Sequence, residues 1–403
     1  MSIDDLPRDG IGRRVRAARK LVGMTQDQLA QRAHVSLSLV KQVEQGKTPA
    51  SAGFTAAAAQ ALGIAHTDLT EQPYPIQDRD SHRVHSVIPA LRREIASYLL
   101  PPEDVIPRSM PELEQSVQHV SKLRHSVVLD ELGVEVPGLL AELRAKTYIS
   151  NGREQERTFG LLAEAYAAAG QVAYKLGYVD LSSLTTERFE WAAEKSGDPL
   201  AMAAGAFYRA GELINSAEWR GALTYLEHAR AQLDGQLRGG EEAAHALYGA
   251  LHLKSGLAAA RAGDTDTSEG HLGEARQLAT HVTPGSDYCR LAFDRDNVAI
   301  WSVGLAVERR DGTEAVKRAS EMQISPTTPG ERVGHHWIDL ARGFQLHGDR
   351  ARSLQALQLA RQVSPQQTRY HPHVRETVIT LAEQDRRRSE TLAGFARWAN
   401  IKI

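Results

Sequence analysis

Apolar residues recur at three- and four-residue spacing along nearly all of this 403-residue chain. That period puts them on one face of an α-helix, and the Ala, Leu, Arg, Glu and Gln that fill the remaining positions are good helix formers. Alternating runs that mark strands are nearly absent. VHSVIPA at residues 84–90 is short and closes on Pro89. The pattern predicts an all-α chain.

Start and stop signals resolve five short helices near the N-terminus. The first spans about Ile11 to Val22, with Gly23 as a left-handed stop. Thr25 caps a second carrying QDQLAQRA, and after the His34-Val35 turn Ser36 caps a third, LSLVKQVEQ, which Gly46 ends. A fourth covers roughly Ala52 to Leu62, and a fifth lies near His66–Leu69. Val15, Val22, Leu29, Ala30, Ala33, Val35, Val40 and Val43 are the expected core, with Ala30 small where two helices cross.

The next break is EQPYPIQDRD, residues 71–80, where Pro73 and Pro75 disfavour helix before them. The expected organisation is therefore a domain over 1–72, a linker over 73–80 and a helical body over 81–403. PPEDVIPRSMP, residues 101–111, interrupts that body without dividing it.

Charge sharpens the picture. The chain as a whole carries −2, yet between Gly10 and Thr48 eight basic residues face only Asp27 and Glu44. A basic head on an acidic body suits a polyanion at one end. A single cysteine, Cys289, allows no internal disulfide and fits a reducing compartment. With no leader-like start and no membrane-length apolar run, the expected location is the cytoplasm, nucleoid-associated when on DNA.

The segment MTQDQLAQRAHVSLSLVKQVEQGKTPAS resembles the helix-turn-helix of the Cro and phage-repressor (XRE) family, through Thr25-Gln26, Leu29-Ala30, Val35-Ser36 and Val43-Glu44 followed by Gly46. The resemblance covers about residues 10–70 and implies that the third helix enters the major groove. Leu37, Ser38, Lys41 and Gln42 are the positions left facing outward once Val40 and Val43 turn to the core. Gln42 suits adenine, Leu37 a thymine methyl, Ser38 either base edge, and Lys41 base or phosphate. Ser36, at the start of that helix, is a further DNA-contact candidate. Gln26 resembles the family's phosphate-anchoring glutamine, and Lys47 and Thr48 are further phosphate candidates. Arg19 and Glu44 match an internal ion pair of the family. His34 stands where the family favours glycine, and a left-handed residue there costs about 1–2 kcal/mol.

Farther on, small residues repeat. Ala210, Ala222, Leu226 and Ala229 are echoed by Gly256, Ser268, Leu272 and Ala275, and by Ala341, Ser353, Leu357 and Ala360. A looser copy is Val303, Ala315, Ala319 and Met322. Each set puts a small residue on one helix and another twelve positions on, so that the two helices pack closely. This resembles the tetratricopeptide (TPR) repeat, although the copies start 46, 47 and 38 residues apart, against ~34 in the ideal repeat. LAEAYAAAGQVAYKLGYVDLSSLTTERFEWAAEKSGD reads as a further helix pair. The resemblance implies a right-handed helical solenoid with a concave binding face. A Cro-like head on a TPR-like body is similar to the RRNPP peptide sensors and to helix-turn-helix/TPR regulators of actinobacteria.

Other chemistry has little support. There is no phosphate-binding G-x-x-x-x-G-K-[ST] loop and no G-x-S-x-G elbow. His335-His336 and His371-Pro372-His373 lack converging ligands and read as surface or capping residues. Arg386-Arg387-Arg388 reads as a solvated helix face. Trp191, Trp219, Trp301 and Trp337 recur at repeat positions and read as core. The expectation is a transcriptional regulator, with no catalytic site and no cofactor or metal. It is expected to be a homodimer on a palindromic double-stranded DNA operator, switched by a peptide, small molecule or protein on the body, with no membrane partner. The alternative is an interaction scaffold whose head localises a partner protein.

Overall fold

The computed structural model describes residues 10–384 and 390–403, and among these no strand occurs. The fold is all-α. Arg386, Arg387 and Arg388 lie outside the described residues.

Five helices form the head: α1 (Ile11–Leu21), α2 (Gln26–Arg32), α3 (Leu37–Glu44), α4 (Ala52–Leu62) and α5 (His66–Thr70). Their core joins Ile11, Val15, Ala18, Leu29, Ala30, Val40, Val43, Phe54, Ala58, Leu62 and Leu69. Val22, expected in this core, is 46% exposed. The helix stops at Leu21, and as its C-terminal cap Val22 has turned away from the face that Val15 and Ala18 bury. Val35 is half-buried at the edge of the same core. Gly12 meets the need for close approach, since a Cβ there would lie 2.0 Å from the Val43 carbonyl oxygen.

After a non-helical stretch the body begins with α6 (Arg79–His85) and α7 (Ile88–Ala96). It continues through α8 (Met110–Ser126), α9 (Leu129–Ile149), α10 (Gly152–Leu176) and α11 (Val179–Ser196). Next come α12 (Pro199–Asn215), α13 (Trp219–Gln232), the short α14 (Asp234–Arg238), α15 (Glu242–Ala262) and α16 (Thr265–Leu278). The series ends with α17 (Arg295–Glu308), α18 (Gly312–Glu321), α19 (Gly330–His347), α20 (Arg350–Val363), α21 (Pro365–Tyr370), α22 (Pro372–Gln384) and α23 (Glu390–Trp398).

Consecutive helices pair: α10 with α11, α12 with α13, α15 with α16, α17 with α18 and α19 with α20. The repeated small residues lie at these contacts. Ala210, Ala222, Gly256, Ser268, Ala341 and Ser353 are all buried, and the Ser353 hydroxyl donates to the Ala341 carbonyl at 2.8 Å across its pair. The tryptophans pack as expected, Trp191 and Trp301 on the largest core, Trp219 and Trp337 on smaller ones.

The row of pairs curls until its end meets its beginning. Helix α19 packs on α8 and α21 on α10. Lys175 reaches Glu331 at 3.0 Å, and Gln366 both accepts from the Leu129 amide at 2.6 Å and donates to Asp130 at 2.8 Å. The concave side of the array is thereby closed into a lumen.

Candidate nucleic-acid interface

Local capping sets the geometry of α2 and α3. Thr25 accepts from the Gln28 amide at 3.1 Å while Gln28 accepts from the Thr25 amide at 2.8 Å, a reciprocal capping box. Ser36 accepts from the Leu39 amide at 3.2 Å, which fixes the start of α3. Between them His34 does adopt a left-handed conformation, φ 53°.

Arg19 and Glu44 form a buried bidentate pair, Nε–Oε1 at 2.6 Å and Nη2–Oε2 at 2.9 Å, which ties α1 to the end of α3. Arg19 also donates to the Met24 carbonyl at 2.7 Å. The Glu44 hydrogen bond and charge hold the Arg19 guanidinium above its ordinary pKa, against a smaller opposing effect of burial.

Ser36, Ser38, Lys41, Gln42 and Lys47 are exposed on one side of α3 and the turn after it. Gln42 is the hub: its amide donates to Ser38 at 3.3 Å and its carbonyl accepts from Thr48 at 3.2 Å. These links hold the glutamine outward, ready to exchange intramolecular partners for a base edge. Two expected residues sit differently. Leu37 is half-buried against the head core, because the first turn of α3 lies over the α2–α3 crossing. The Gln26 amide donates to Glu44 at 2.8 Å, so the buried ion pair orients the side chain expected to meet phosphate.

Sequence reasoning gave no sign that the head docks on the body. Glu376 of α22 accepts from the Ile11 amide at 2.9 Å and the Ala50 amide at 3.3 Å. Arg13 pairs with Glu383 at 2.8 Å, Gln384 donates to the Lys47 carbonyl at 3.4 Å, and Gln60 donates to Glu218 at 3.1 Å. Helix α4 lies on α12 and α15, with Gly53 against Arg261. Among the described residues these contacts leave the exposed face of α3 uncovered.

Charged side chains line that lumen. Glu308 bridges Arg261 at 3.0 Å and Arg342 at 2.9 Å, Asp339 adds to Arg342 at 3.0 Å, and Glu331 holds Arg332 at 3.3 Å as well as Lys175. Burial raises the Glu331 carboxyl, but Arg332 and Lys175 pull it well below the ordinary range. His335, His371 and His373 face these charges, and His336 is buried away from them, so none reads as a surface residue. His336 is only 3% exposed, and His335 and His371 meet edge to face at 5.3 Å. Burial, then neighbouring cations, lowers His335, His371 and His373, so they are neutral near pH 7. Among the described residues no group of three or more His, Cys, Asp or Glu is placed to hold a metal ion.

Cys289 sits in a turn of left-handed residues, Cys289, Arg290 and Ala292, at the edge of a cavity of about 350 Å³. Burial pushes its thiol up to about 12, so it is a poor nucleophile. Arg290 of the same turn pairs with Glu164 at 2.9 Å.

Residues 11–72 match the helix-turn-helix domain family. The match covers the head alone. No curated protein and no solved structure matches the chain. Among the described residues no helix is long and apolar enough to cross a membrane.

Proposed function

We propose that the chain is a sequence-specific DNA-binding transcriptional regulator, reading base edges with Ser38, Gln42 and Lys41 and holding phosphate with Gln26, Ser36, Lys47 and Thr48. The observation that carries this reading is the exposed polar face of α3, held by caps on both sides of a helix-turn-helix and left open when the head docks. The Ser36 hydroxyl, which accepts from Leu39, keeps its own proton for a phosphate oxygen. Leu37 contributes mainly through the methyl groups at the rim of the head core. No catalytic step is required of any residue.

The body resembles a TPR-like solenoid and serves as the sensor. A homodimer on a palindromic operator follows from affinity: one such head contacts few phosphates, and two reading heads one helical turn apart, about 34 Å, restore tight binding. An effector in the lumen acts by favouring one placement of the heads over another, through differential affinity for the two states. Selection from a random duplex pool with the full chain tests the reading. Enrichment of an inverted repeat with half-sites about ten base pairs apart supports it. Recovery of unrelated sequences contradicts it.

A further inference from the structure

Lys254 stands apart from the other charges of the lumen. Lys175, Arg261, Arg332 and Arg342 each pair with a carboxylate, and Glu212 accepts from the Ser183 hydroxyl at 2.7 Å. The Lys254 ammonium has no hydrogen bond or ion pair among the described residues. It lies 4.0 Å from the centre of the Phe207 ring and 5.9 Å from that of Trp301, next to Gly211. Those two rings come from the helices on either side, α12 and α17, so the amine lies between them.

Lys254 is itself half-buried. Tyr174 keeps 50% of its surface free although Glu212, Arg261 and Glu331, on three other helices, all act on its hydroxyl. Arg332, Arg261, Glu212 and Glu331 also act on Lys254. The two residues therefore face the same group of charges, and that group has one cation more than its carboxylates match.

We propose that the lumen binds a small aromatic carboxylate, its anionic group paired with Lys254 and its ring against Tyr174 and Trp301. This deepens the sensor reading and rests on it. A monoanion fits better than a phosphate, because the guanidinium forks that recognise phosphate are already taken by carboxylates, and Glu212 and Glu331 repel a second negative charge. The aromatic preference follows from the half-open Tyr174 and Trp301 beside an amine already held on ring faces. Gly53 of the head packs on Arg261, one of the charges that act on Lys254, so a ligand in this place lies near the head.

Burial, then Arg332 and Arg261, lowers the Lys254 amine to about 7, so near pH 7.5 it is largely uncharged. An anion that pairs with it must draw a proton from solution. The test is calorimetric titration of the full chain, free of DNA, with phenylacetate and with neutral phenylacetamide, at pH 6.5 and at pH 7.5 in two buffers of different ionisation enthalpy. The expected result is saturable binding of phenylacetate, at least tenfold weaker phenylacetamide, and proton uptake at pH 7.5 on the wild-type chain. Lys254→Met, checked for native helicity, is expected to lose at least tenfold in phenylacetate affinity. No saturable binding of phenylacetate, equal binding of the amide, or binding without proton uptake overturns the proposal. A chain that takes phenylacetate but selects no DNA sequence keeps this site and loses the regulator reading. A chain that selects DNA but ignores phenylacetate loses this site alone.

Discussion

The Glu376 carboxylate accepts the backbone N–H of Ile11 at 2.9 Å, joining the last third of the body to the first residue of α1. Its other oxygen takes the Ala50 amide, so one side chain satisfies two donors of the head. Burial raises this carboxyl, while the two amides oppose that rise. Glu376→Ala leaves both N–H groups without a partner, at about 1–3 kcal/mol each where they stay buried. The expected outcome is faster amide hydrogen exchange at Ile11 and Ala50 with unchanged exchange in α15 and α16.

The Arg19–Glu44 pair predicts a non-additive double mutant. Either Arg19→Met or Glu44→Gln leaves a buried group without its partner, and the head is expected to lose about 3–5 kcal/mol. Arg19→Met combined with Glu44→Gln is expected to cost clearly less than the two single changes together, measured by denaturant unfolding. Because Gln26 also donates to Glu44, DNA affinity falls in the Glu44 variant even where the head stays folded.

Close packing makes a third prediction. Gly12→Ala places a methyl group against the Val43 carbonyl, where no flexible side chain can yield. Forcing α1 from α3 is expected to cost at least about 1–3 kcal/mol and to melt the head before the body. Two separate transitions in calorimetry check this, where the wild-type chain shows the head and body more closely coupled.

These three cases differ in how far the sequence revealed them. The caps at Thr25 and Ser36 and the stop at Gly23 are local, so each is written in three or four consecutive residues. The polar face of α3 follows from them, as does the pairing of α12 with α13 and α19 with α20, because small residues recur at a fixed offset. Val22 reads as core because period alone does not say where a helix ends, and as the cap of α1 it is exposed. Gly12 gave no sign, since its need arises from a carbonyl thirty-one residues away on another helix. The lumen was hidden for a more general reason. A helix with a polar stripe reads as facing solvent, and only the closure of α8 and α10 on α19 and α21 turns that stripe inward. His335, His371 and Lys254 were therefore indistinguishable from surface residues.

Acid is expected to loosen the seam between head and body. Burial, then the charge of Arg261, lowers His66 to about 4. His373, likewise lowered by burial, faces it from α22, with Arg342 and Arg261 nearby. The unfolded histidines bind protons below about pH 6.5, whereas the folded ones resist them until about pH 4 for His66. The unfolded state thus holds more protons across that window, and stability falls as pH drops through it. Melting curves between pH 7 and pH 4 are expected to show this decline, with His66→Gln reducing its slope.

The most direct test of the central claim is fluorescence anisotropy of the full chain on the inverted repeat recovered by selection, comparing wild type with Ser38→Ala/Gln42→Ala across a salt titration. Wild type is expected to bind tightly, and the double variant to fall to the weak, steeply salt-dependent level of random duplex while keeping its phosphate contacts. Equal affinity of the two proteins for that repeat would contradict it, since the exposed face of α3 would then read no sequence.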